Sequence, residues 1–154
     1  MIETTLNPID AVKKAAVDFI NSHDFFKSIP CIWDEKGDVD TQIEVKMLSI
    51  GMGIVLECNQ GKVVNQAVGS QDVRMTPTIT ITENVLINRD PANASSSGKR
   101  AADIVCELFA IFNPATSQTP LPIYLDEFEV VNNTGSVITY QITGRANAGW
   151  KIKT

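Results

Sequence analysis

Two hydrophobic periods divide this chain. Between Ile9 and Ile20 apolar residues return every three or four positions, whereas later segments alternate every second position. Ile9, Val12, Ala16, Phe19 and Ile20 fall on one helical face, with Lys13, Lys14, Asp18 and Asn21 on the other. Asn7 can cap the first turn, Pro8 suits its first position and Asp10 favours the positive end of the helix dipole. The spacing predicts a helix over 8–22. Pro30 ends the apolar run that follows, and 33–42 is an acidic loop. Ile43, Val45 and Met47 alternate with polar neighbours, which predicts a strand. A second strand is expected over 51–58, a turn at Asn59-Gln60-Gly61, and a returning strand over 62–68.

Residues 73–82 are the clearest strand, with Ile79 and Ile81 set between threonines. Pro77 lacks a ladder donor, so the first half of this strand is expected at an edge or a bend. The turn-rich stretch 83–97 reads as a long loop, of the kind that is either functional or mobile. A second helix is predicted over 98–112, capped by a serine among 95–97 and stopped by Asn113-Pro114. Strands over 123–131 and 136–143 close the pattern. There Phe128 and Val130 can meet Ile138, Tyr140 and Ile142 on one face, leaving Glu127 and Glu129 on the other. The order α–β–β–β–β–α–β–β predicts an α+β fold: a mainly antiparallel β-sheet with two main helices packed on one face. Residues 1–144 are read as a single domain and 145–154 as a C-terminal tail.

Composition sharpens this reading. The 154 residues are 44% hydrophobic and 20% charged, which suits one domain that needs no disulfide or metal staple. The net charge of −5 comes entirely from residues 1–58, because 59–154 balance eight acids with eight bases. Such a chain is not built to grip nucleic acid by neutralising phosphates. Cys31, Cys58 and Cys106 are unclustered and read as reduced thiols. The start has no secretory pattern, and no apolar run approaches the ~18 residues of a membrane span.

Chemistry is sparsely signalled. Ser97-Gly98-Lys99-Arg100 lacks both the earlier glycine of a phosphate-binding loop (Asn93 stands there) and the hydroxyl after the lysine. The helix start there could still attract an anion. Asp34, Glu35, Asp38 and Asp40 miss the glycine and glutamate spacing of a calcium loop. His23 is the sole histidine, and Ser22 and Asp24 beside it do not share its face. Asp126 and Glu127 point to opposite sides of a strand. No catalytic residue, metal site or cofactor is therefore predicted. Candidate contact residues for subunits or partners are Asn88, Arg89 and Asp90 in the long loop, with Arg145, Trp150, Lys151 and Ile152 in the tail.

Taken together, the helix 8–22, the antiparallel hairpins 43–82, the helix 98–112 after a serine-rich loop and the closing strands 123–143 resemble the tail terminator, or tail completion, proteins of long-tailed bacteriophages. The resemblance is one of architecture and length and covers most of the chain. It implies a structural, non-enzymatic virion protein, made in the host bacterial cytoplasm. Six copies would form a ring at the head-proximal end of the tail tube, between the tail tube protein and the head–tail connector. DNA would pass through the lumen without specific binding, repelled by acids such as Asp34, Glu35, Asp38 and Asp40. Another phage neck or head–tail joining protein, or a small hydrolase or ligand-binding domain with His23 or a carboxylate pair converging in a pocket, are the alternative readings.

Overall fold

The computed structural model describes residues 7–117 and 120–151. Helix α1 (Pro8–Asn21) begins where expected, with the Asn7 side chain accepting the Asp10 N–H at 2.9 Å. A short strand β1 (Cys31–Ile32) follows, then helix α2 (Val39–Ser49). The long strands β2 (Met52–Ala67) and β3 (Ser70–Asn84) make a hairpin. Next come a single helical turn α3 (Val85–Asn88), helix α4 (Ala101–Ile111), and strands β4 (Tyr124–Asn133) and β5 (Val137–Lys151). The five strands lie in the order β1-β2-β3-β5-β4, and only the β1/β2 pair is parallel. The fold is α+β, with a mostly antiparallel sheet.

Helices α1 and α4 cover one face. Ala16, Val17 and Ile20 of α1 and Ile104, Val105 and Leu108 of α4 are buried in one core with Ile54, Leu56, Ile79, Ile81 and Ile142 of the sheet. Phe19 meets Phe112 with ring centroids 4.9 Å apart, locking the two helices together. Phe128 pairs with Ile142 and Val130 with Tyr140, on the shared face that alternation predicts, whereas Ile138 lies opposite Asn133.

Residues 43–48 form the middle of helix α2, not a strand. Ile43 and Met47 are spaced i, i+4, and both reach the sheet at Gly53, on the face opposite α1 and α4. Gly53 leaves room for them: a Cβ there would lie 2.8 Å from Ile43 Cδ1. Val45 and Leu48 stay exposed and no residue of α2 is fully buried, so its cap matters. The Asp38 carboxylate accepts the Thr41 N–H at 3.0 Å and the Thr41 hydroxyl at 2.6 Å. Asp38→Ala removes this cap and is expected to loosen α2. Hydrogen exchange should show lost protection confined to Val39–Ser49, with little change in global melting.

The expected turn at Asn59-Gln60-Gly61 is absorbed as a bulge between Cys58 and Gln60, and β2 runs on to Ala67. The hairpin turns instead at Val68-Gly69, where Gly69 takes φ +80°. Pro77 lies in a central strand, not at an edge. Its missing N–H is tolerated because the β3/β5 pairing skips from Met75–Ala146 to Thr78–Thr143, beside that bulge.

The segment expected as a tail continues β5. Residues 146–151 pair with Ser70–Met75, and Ala146 is buried. Removing 145–154 should therefore lower the melting temperature of the domain, and not only weaken its contacts with other molecules.

Candidate functional site

Two regions hold the residues singled out by sequence. The first is the turn after β3. Glu83, the penultimate residue of that strand, is fully buried. Arg89 grips its carboxylate with two bonds, Nε to Oε2 at 2.9 Å and a terminal nitrogen to Oε1 at 3.1 Å. Asn88 Nδ2 donates to Oε2 at 2.7 Å, and the Ala101 N–H at the start of α4 donates to Oε1 at 3.0 Å. Burial alone would push this carboxyl up, but Arg89, the Ala101 N–H and Asn88 outweigh it and hold it below its ordinary range. Asn88 is itself buried and also donates to the Lys99 carbonyl at 2.8 Å.

Asn88 is thus an internal bracket and not a contact surface. Arg89 is partly exposed but committed to Glu83, and Asp90 caps the Ala92 N–H at 2.9 Å. Asn93 ties the loop to the Ile87 and Ser49 carbonyls, and the Ser96 hydroxyl donates to the Asn88 carbonyl. The stretch 83–97 is therefore the end of β3, one helical turn and a tethered loop.

The same bonds correct the reading of the α4 start. No serine caps it. The Asp103 carboxylate accepts the Arg100 N–H at 2.8 Å, and Glu83 takes the next donor. Lys99 donates to the Phe25 carbonyl at 2.7 Å and lies 4.1 Å from the Phe25 ring centroid. The helix terminus is filled by the protein's own carboxylates, which leaves no vacancy for an anion at those donors.

The second region is the acidic segment after β1. Asp34 bonds Lys13 Nζ at 2.7 Å, which holds the Asp34 carboxyl below its ordinary range. Burial would lower the Lys13 ammonium, but Asp34 and Asp10 outweigh it and raise it. Asp34, Asp38 and Asp40 line one open concavity of about 250 Å³ with Glu57 and Lys13, whereas Glu35 borders a different one. Among the described residues, no group of three or more His, Cys, Asp or Glu side chains is placed to hold a metal ion.

His23 sits past the end of α1, with Nδ1 2.8 Å from the Phe19 carbonyl and its ring edge-on to Phe19. Asp24 pairs with Lys27 instead of the imidazole. Cys31 is buried, and burial pushes its thiol up to about 12, so it stays protonated and inert. Arg145 bonds Asp126 at 3.2 Å and lies over the Tyr124 ring. Trp150 and Lys151 lie on β5, opposite Gln71 and Ser70; Ile152 falls outside the described residues.

A feature with no signature in sequence is the sheet's two open margins. Among the described residues β1 pairs only with Ile54 and Val55, and none of them pairs with the outer edge of β2 from Gln60 to Ala67. β4 is the opposite edge strand and is largely exposed, with Phe128, Val130 and Val131 each about half accessible. Among the described residues, no helix is long and apolar enough to cross a membrane. A scan against protein-family models finds no match, and a search of curated proteins finds none either.

Proposed function

We propose that this chain is a structural subunit of a long-tailed bacteriophage virion. It closes the head-proximal end of the tail tube as a ring of about six copies, between the tail tube protein and the head–tail connector. The observation that carries this reading is the pair of open sheet margins, one on each side of the subunit. Long unprotected edges are a hazard for a solitary protein and are normally blunted or covered. A subunit with different sticky surfaces on its two sides makes head-to-tail contacts, which form a ring when the rotation closes. The tethering of His23 to Phe19 and the filled α4 terminus agree with a protein that works by contact and not by chemistry. In this reading the acids around Asp34, Asp38, Asp40 and Glu57 offer DNA a repelling surface, and the protein resides in the virion neck.

The test is imaging of the purified chain, alone and mixed with phage tails that lack this protein. Rings with rotational symmetry that seat on the head-proximal end of those tails are the expected result. Failure to bind tails, with a monomer at every concentration, would overturn the proposal. Binding to filled heads instead of tails would move the subunit to the head–tail joining position.

A further inference from the structure

We propose that β4 of one copy adds as a strand to the free edge of β2 in the next copy, with Phe128 seated in an apolar groove beside that edge. This rests on the ring reading and names its contact. Four observations converge on it.

The first is direction. From β2 through β3 and β5 to β4 each neighbour is antiparallel, so β4 runs opposite to β2. A second copy placed beside the first in the same orientation therefore brings β4 against β2 as an antiparallel pair, the arrangement whose ladder bonds are most direct.

The second is the character of the edge. Between Cys58 and Val68 the only charged residue is Lys62, there is no proline, and Val63, Val64 and Val68 are exposed. Apart from Lys62 and its bulges, it lacks the charges and prolines that keep an edge from pairing.

The third is shape. Gly61, Val63, Val73 and Met75 line an open, mainly apolar groove of about 290 Å³ with Ile9. Gly61 and Val63 lie opposite the buried Met75 and Val73, so they belong to the helix-covered face of the sheet. Phe128 and Val130 lie on that same face of β4, opposite Ile142 and Tyr140, yet Phe128 is 55% exposed. Its own partners, Phe109 and Tyr140, sit 6.0 and 6.2 Å away and cover only part of the ring. Continuing the sheet into the next copy keeps these residues on one side and brings the phenyl ring to the groove.

The fourth is charge. On the opposite face, Lys62 and Arg74 are cross-strand neighbours. β4 places Glu127 and Glu129 on that same face and contains no basic residue. Acid meets base across the joint, which sets orientation and suppresses β4–β4 or β2–β2 pairing. Because β1 already occupies the edge at Ile54 and Val55, the added strand lies toward the hairpin tip, staggered along β2. Closing a staggered sheet requires its strands to tilt against the ring axis.

Phe128→Glu and Val63→Glu test the contact on the intact chain. Both positions are about half exposed, so each variant is expected to fold, with a melting temperature near the parent's. Each variant alone should sediment as a monomer at concentrations where the parent forms rings. An equimolar mixture should give a 1:1 dimer, because one partner retains a sound β2 edge and the other a sound β4 edge. Rings formed by either variant alone, or a mixture that stays monomeric, would overturn the pairing and leave the tail-ring reading standing. The converse is a parent that assembles, variants that behave as described, and assemblies that ignore phage tails: the pairing then holds and the tail reading falls.

Discussion

Replacing Glu83 by Ala is expected to lower stability by about 3 kcal/mol, which for a chain of this length is roughly 10 °C in melting temperature. The side chain is wholly inaccessible and serves three segments at once: the end of β3, the α3 turn through Asn88 and Arg89, and the first N–H of α4. Its removal leaves the Ala101 N–H without an acceptor and the Asn88 amide with only the Lys99 carbonyl in a dry site, and such losses exceed the modest net worth of the bonds themselves. Arg89 loses less, because part of it reaches water. Glu83→Gln keeps the shape and can still accept from Ala101, so about half the loss is expected. Calorimetry of the two variants, with a Glu83/Arg89 double-mutant cycle, measures how the total divides.

The same carboxylate gives stability a pH signature. Its folded-state pKa lies below the ordinary 4.5, so below neutrality the unfolded chain takes up the proton first. The contribution of Glu83 is complete above that ordinary value and is lost as pH falls through the folded one. Asp34, also held low by Lys13, loses its contribution in the same direction, below its own ordinary 3.8. Denaturation midpoints should therefore drop on acidification below about pH 4.5. The drop should be shallower in Glu83→Gln, with the Asp34 share remaining.

Helix α1 announces itself through a cap, a proline and a strict helical stripe. β3 and the shared face of Phe128, Val130, Tyr140 and Ile142 follow from two-residue alternation, whereas which residues pair comes from the folded ladder. Helix α2 was obscured because Ile43, Val45 and Met47 fit the strand period, while Ile43 and Met47 also fit the helical one. What decides is the Asp38–Thr41 cap and the vacancy over Gly53, and the latter exists only once the sheet is formed. Asn88 and Arg89 look like ordinary loop residues in sequence. Their role depends on Glu83 being buried at the end of β3, a tertiary fact without a local signature. The open edges are hidden for the same reason, since a strand's sequence does not state whether a neighbour will cover it. The segment expected as a tail has no clear strand alternation of its own and is ordered by its partner β3, and the ladder runs through both Gly144 and Gly149.

Gly144 carries the second large effect. It pairs with Leu125 where β4 closes on β5, and a Cβ built there would lie 2.2 Å from the Tyr124 carbonyl oxygen. That atom is backbone and cannot rotate away, so Gly144→Ala must displace β4 itself. The expected cost is about 3 kcal/mol, at the upper end for overpacking because ladder bonds break as well. Gly98→Ala separates steric conflict from backbone strain. Gly98 has φ +74° but no atom within 4 Å of an added Cβ, so only the left-handed conformation is penalised, by about 1 kcal/mol. Hydrogen exchange in Gly144→Ala should show β4 losing protection ahead of β2 and β3, since those two strands hold each other in the long hairpin. If β4 is the strand that joins neighbouring copies, the variant should also lose assembly at temperatures where the remaining core is still folded. Gly98→Ala, in the loop before α4 and outside the proposed β4–β2 contact, should melt slightly earlier and assemble as the parent does.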